Sequence, residues 1–407
     1  MALRSIVAGL ALLALATGCK GKHAERTGGA SPEASLPALR PTTDGAIAVD
    51  NLDAMIGGQE RRIQAAPGDV GLRAGLVELL LTRGQFLGVV ADYERASALA
   101  ETLVAEAPAA PLAWRARAST RATWHRFPEA LEDLREAEKA GAPARSLAGL
   151  EATILAATGH LDEAMKVTPD TGDAQGDAMA LASRALLDGE LGMLDDAGRG
   201  LNAARARYRD VSPFPLAWMD AMQATLYEKA GERDKARAHY TRAVRLLPLY
   251  ARAAAHLAAL EAPQKAIALL TPVVARSDDP EVFAELGDAL RRAGRTAEGK
   301  AMLERARARY DHLLASHREA YVDHAARFWL GAGGDTARAL VLAKSASSVR
   351  SNDETFGLWL EAAEAARNPS EICEASHRLL ALPHAAASFR AAAREAAKRC
   401  VDRTAGP

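Results

Sequence analysis

One spacing governs this chain: a small residue, then another small residue twelve positions later, in Ala118/Ala130, Ala152/Ala164, Ala185/Ala197, Ala224/Ala236, Gly287/Gly299 and Ala325/Ala337. The first members of successive pairs lie mostly 33–39 residues apart. A period in that range belongs to stacked helical hairpins, because two helices approach closely only where their facing side chains are small. Composition agrees: 49% of the 407 residues are hydrophobic but only 5% are aromatic, and alanine, the best helix former, carries the difference. A chain this long holds either two or three globular domains or one long solenoid, and the recurrent spacing selects the solenoid. The net charge of −1 gives no electrostatic reason to expect nucleic acid as a partner.

The pattern resembles the tetratricopeptide repeat. The clearest copies are Pro111–Ala144, through Trp114, Ala118, Ala130, Leu134 and Ala137, and Ala217–Tyr250, through Ala224, Tyr227, Gly231, Ala236, Tyr240, Ala243 and Pro248. Pro280–Leu313 matches through Phe283, Leu286, Gly287, Leu290, Gly294, Leu303 and Ala306. Weaker copies fill Val70–Ala110, Arg145–Asp177, Ala178–Ser212, Arg318–Ser351 and Asn352–Pro383. Ala251–Asp279 is shortened near Glu261-Ala262-Pro263, and Trp359 and Glu371 stand where small residues are expected. The resemblance implies an all-α, right-handed α-solenoid of about eight or nine hairpins with a C-terminal capping helix. Gly84, Gly159, Gly192, Gly231, Gly294 and Gly333-Gly334 fall where helices should end in a left-handed residue.

The amino terminus points to export. Arg4 precedes an apolar run, Ile6–Leu15, far shorter than the roughly 20 residues that span a membrane. Leu15-Ala16-Thr17-Gly18-Cys19 resembles the lipobox of bacterial lipoproteins, with Ala16 in place of the usual leucine; the resemblance implies lipidation at Cys19, and Lys20 favours the outer membrane. The alternative is an ordinary secretory signal that leaves a soluble periplasmic protein. The expected organisation is a signal peptide over 1–18, a lipid anchor and disordered linker over 19–45, an N-terminal array with its lead-in helix over 46–212, a C-terminal array with its capping helix over 213–402 and a tail over 403–407. Pro213-Phe214-Pro215 divides the arrays. Cys373 and Cys400 fall on the last two helices, so either a disulfide clasp or two buried thiols is expected.

Sites for chemistry are scarce. Gly294–Ala301 fits the glycine and lysine frame of a phosphate loop but carries Ala301 where Ser or Thr should bind magnesium, and it joins two helices. Asp311, His312, His317, Asp323 and His324, flanked by Tyr310 and Tyr321, form the densest polar corner without the spacing of a zinc helix. No nucleophile, base and orienter come together locally, so no enzyme, cofactor or metal is expected. Residues of the first helix of each repeat should instead line a concave groove: Arg115, Ser119, Thr153, Trp218, Thr225, Glu228, Lys229, Arg252, Asp288, Arg291, Arg292, Trp329 and Phe356. Tryptophan and arginine are enriched in binding hot spots. The leading expectation is an envelope adaptor or assembly factor that captures an extended segment or helix of a protein partner, in assembly, secretion or pilus-type work. The alternatives are a small-ligand or metal carrier using the His312–His324 corner, and an unrecognised envelope enzyme.

Overall fold

A computed structural model of the protein describes residues 36, 38–168 and 177–403, and every regular element among them is helical. In chain order these are α1 Gly45–Ala65, α2 Val70–Leu87, α3 Val90–Glu106, α4 Pro111–Thr123, α5 Phe127–Lys139, α6 Ala144–Ala157, α7 Leu161–Val167, α8 Ala178–Glu190, α9 Leu194–Arg207 and α10 Phe214–Lys229. They continue as α11 Arg233–Leu246, α12 Ala251–Ala259, α13 Pro263–Val274, α14 Pro280–Arg292, α15 Thr296–Ser316, α16 Arg318–Leu330, α17 Thr336–Val349, α18 Asp353–Ala365, α19 Pro369–Ala381 and α20 Ala387–Ala397, closed by a 3-10 turn over Lys398–Arg403. The pairs from α2/α3 to α18/α19 are the hairpins of a tetratricopeptide-like α-solenoid. Cys19, the expected lipidation residue, and most of the expected linker lie outside the described residues.

Local sequence sets these boundaries. Asp44, Asp69, Asp177, Asp279, Asp335, Asn352 and Asn368 each accept a hydrogen bond from a first-turn amide, and prolines open α4, α13, α14 and α19, where a missing N–H costs nothing. The small pairs do what their spacing implies: Ala118, Ala130, Ala164, Ala224 and Ala236 have no solvent exposure, and a Cβ added to Gly287 would sit 2.8 Å from Leu303. The last pair is corrected. Ala337 is exposed and Ala339 is buried in its place, because the Gly331–Gly334 turn lengthens the connection by two residues. Trp359 and Glu371 replace a small pair by bonding each other, indole Nε1 donating to the carboxylate at 2.8 Å. Gly84 lies inside α2 beneath the Tyr93 ring, and the left-handed residue that ends this helix is Gly88, φ 64°.

The even-numbered helices form most of the inner wall, and that wall closes on itself. Residues about 160 to 220 positions apart meet along a continuous seam. Thr43 donates its amide to the Val211 carbonyl at 2.7 Å, and Ser277 Oγ donates to the Gly88 carbonyl at 2.9 Å. The Trp124 ring stacks on His317 at 3.6 Å, and Asn352 Nδ2 donates to the Ala157 carbonyl at 3.2 Å. One apolar core accordingly unites α1–α4 with α8–α12, while a second unites Val90 and Trp124 with α14–α20. The second winding therefore lies on the first and leaves no open cradle. Cys373 and Cys400 are joined as a disulfide, Cα atoms 5.6 Å apart, pinning the final helix onto α19.

Candidate functional site

Closure of the windings leaves a chamber of about 150 Å³ walled by α2, α4, α6, α10, α12, α14 and α16, with Tyr93 of α3 and Tyr310 of α15. Its aromatic lining comes from Tyr93, Trp124, Tyr250, Tyr310 and Tyr321. Tyr250 and Tyr310 are 1% and 2% exposed, yet no hydrogen bond to their hydroxyls, or to those of Tyr93 and Tyr321, is found among the described residues. Burial raises the pKa of all four phenols, so they stay protonated at physiological pH.

The charged lining is Glu78, Arg115, Arg252, Asp279 and Glu281. Arg115 pairs with Glu78. Glu281 lies 3.8 Å from both His256 and His324; burial opposes its charge, but these imidazoles and Arg252 hold its carboxyl below the usual range. Asp279 caps α14 by accepting from the Glu281 amide at 2.9 Å and has no ion-pair partner among the described residues. Burial, reinforced by the Glu281 carboxylate, pushes its carboxyl up to about 7. Burial also lowers the pKa of His125, to about 3, and that of His324, so neither ring supplies positive charge at neutral pH. The chamber thus has neutral phenols, one unpaired carboxylate and cations already engaged elsewhere.

Of the groove residues expected from the sequence, Arg115, Ser119 and Arg252 line this chamber. The others do not. Trp218 is 2% exposed inside the first core. Trp329 is 5% exposed in the second core, its ring covered by Arg307 at 5.0 Å and Arg338 at 4.1 Å. Those arginines belong to α15 and α17, so Trp329 faces the outer helices. Phe356 is buried beside Trp359, and Thr225 is buried with its hydroxyl on the Ala221 carbonyl and the Tyr240 hydroxyl, each at 3.1 Å. Glu228 accepts from Tyr240 at 2.8 Å, and His256 Nδ1 lies 3.0 Å from it. Lys229 is buried among Glu190, Asp353 and Glu354. Thr153 bonds the Gly149 carbonyl, Asp288 pairs with Arg292 at 2.9 Å, and Arg291 is exposed beyond the chamber.

The polar corner expected as a possible metal site is taken apart. Asp311 pairs with Arg338, Asp323 with Arg350, His317 stacks on Trp124, and His324 turns toward Glu281. Among the described residues no group of three or more His, Cys, Asp or Glu side chains is arranged to hold a metal ion. The phenols and Asp279 carry no period in the sequence. The one signal that could have found them is their position: Tyr250 and Asp279 immediately precede an inner helix, and Tyr321 lies in the first turn of one.

No family model matches the sequence, and no curated protein matches it either. Solved structures do show similarity. The human IFIT1 dimer with PPP-AAAA is 12% identical, covering 86% of each chain at a TM-score of 0.42. Yeast Tom70 is 11% identical, covering 88% of this chain and 94% of its own at 0.36. The C-terminal part of a TPR repeat-containing protein from Cytophaga hutchinsonii is 16% identical, covering 59% of this chain and 97% of its own at 0.30.

Proposed function

We propose that this protein is a binding scaffold of the bacterial envelope, an outer-membrane lipoprotein anchored at Cys19 and facing the periplasm, which takes up an extended segment of a partner polypeptide during assembly, secretion or pilus-type work. The observation that carries the binding role is the chamber, where inner helices of both windings converge with rings and both signs of charge. Its size narrows the partner. A helix needs about 10–12 Å of width, whereas this volume accepts one or two side chains or a chain end. The reading is therefore of an extended segment, not a docked helix. The anchor rests on Met1–Cys19, and among the described residues no helix is long and apolar enough to cross a membrane.

The same small chamber favours a second reading, a carrier for a small ligand without metal. A photo-crosslinking residue at Ser119, inside the chamber, separates the two. Adducts with a polypeptide in native envelopes, lost in Arg115→Glu and absent from the same probe at exposed Arg291, support the scaffold. Adducts from Arg291 alone would remove the chamber from the reading. Labelling with a palmitate analogue tests the anchor: the parent chain takes up label and sediments with outer membranes, and Cys19→Ala does neither.

A further inference from the structure

We propose that the chamber is a recognition site for a primary alkylammonium group, held by the Asp279 carboxylate and by the phenols of Tyr93, Tyr250, Tyr310 and Tyr321. This rests on the binding reading above and names the chemistry of what enters. Among the described residues no hydrogen bond reaches the hydroxyls of Tyr250 and Tyr310, and neither oxygen is among the buried side-chain atoms left without a partner, so both are open to what occupies the chamber they line. Each phenol oxygen can accept a hydrogen bond.

The cationic side chains of the lining are already committed, Arg115 to Glu78 and Arg252 within the protein, whereas Asp279 has no ion-pair partner among the described residues. The phenols can donate as well as accept, so what the chamber lacks is a positive charge that is not already committed. A primary ammonium brings three N–H donors, one positive charge and no acceptor, and its methylene stem suits aromatic walls, whose negative faces attract cations. An anion would meet Asp279 and Glu281 instead, and a metal ion would find no grouped ligand set among the described residues.

The ammonium can come from two sources, a free amine or the lysine side chain of a captured segment, and the test has an arm for each. Calorimetry on the purified chain uses pentylammonium, with pentanol and pentanoate as controls, then an extended pentapeptide with a central lysine against its norleucine counterpart. Asp279→Asn preserves the helix cap and Tyr310→Phe preserves the ring, so both variants should fold, and their circular dichroism melts check this. Expected results are saturable binding of pentylammonium but not of the controls, weakened at least tenfold in Asp279→Asn and at least threefold in Tyr310→Phe and in Tyr321→Phe. A lysine peptide binding at least tenfold tighter than pentylammonium, with the norleucine peptide silent, assigns the group to a polypeptide. Equal affinities for both assign it to a free amine.

Absence of amine and lysine-peptide binding, or unchanged affinity in the folded variants, overturns the proposal. Crosslinks from Ser119 that persist undiminished in Asp279→Asn would also sink the ammonium assignment while leaving polypeptide capture standing. Amine binding without any polypeptide crosslink would do the reverse.

Discussion

Lys229 lies within reach of three carboxylates, Glu190 at 2.7 Å, Asp353 at 2.9 Å and Glu354 at 3.9 Å, and all four side chains are nearly out of solvent. One lysine cannot balance three charges at low dielectric. Burial, with the neighbouring carboxylates behind it, pushes the Glu354 carboxyl up to about 7 and raises that of Glu190 against the opposing pull of Lys229. A carboxyl with a folded pKa above its unfolded value, about 4.3, holds its proton more tightly when folded. This contribution to stability is therefore complete at acid pH, below the unfolded value, and is lost as pH rises toward 7. The urea midpoint should fall between pH 5 and pH 8, and Glu354→Gln should flatten that fall by about one proton's worth, roughly 1.4 kcal/mol per pH unit at its steepest. A slope that Glu354→Gln leaves unaltered would contradict it. Lys229 also marks what a linear reading misses at this scale. It was expected in the groove, but its partners Asp353 and Glu354 arrive from more than a hundred residues downstream. Spacing from one small residue sets the helical angle of Trp218 and Trp329 but carries no sign of the two cores that bury them.

At the scale of elements, two glycines distinguish a local requirement from a tertiary one. Gly192 ends its helix at φ 86° with open space around an added Cβ, so Gly192→Ala should cost only the left-handed backbone, about 1–2 kcal/mol. Gly88 has φ 64° and in addition abuts the second winding, where a Cβ would fall 2.4 Å from Ser277 Oγ and 2.9 Å from the Ala251 Cβ. Gly88→Ala should therefore cost about 1–3 kcal/mol more, read by chemical denaturation of the two variants side by side. Equal losses would mean that the seam yields freely at this point. The clasp is testable in the same way. Replacing both Cys373 and Cys400 by serine opens a loop of 27 residues and should lower stability by about 3–4 kcal/mol in the chain-entropy model, with α20 the first helix to lose hydrogen-exchange protection. Helix pairing, small-residue contacts and caps were legible because they depend on residues within about 40 positions of one another. The slip from Ala337 to Ala339 was not, because a turn can absorb two residues without changing the composition around it.

For the whole molecule, the decisive property is closure. The repeat resemblance implies hairpins and a concave wall but says nothing of whether that wall meets itself, because the seam is made by Val90 with Asp278, Trp124 with His317 and Asn352 with Ala157, pairs that share no pattern. Small-angle scattering on the Cys19→Ala chain should give a radius of gyration of about 21 Å for a closed body of this length, before the tether's small addition. Values well above that, with an elongated distance distribution, would show an open superhelix and would dissolve the chamber together with its ligand. The chain entropy of bringing such distant segments together makes this the slow part of folding. The proposed export from the amino end gives that order a consequence: the early helices would reach the far side with Leu80, Phe86 and Leu87 unclad, and their cover, Phe214 and Tyr250 on α10 and at the mouth of α12, would be still to come. Until more than half of the polypeptide had crossed, such a newcomer would be a sticky half-shell in need of an escort.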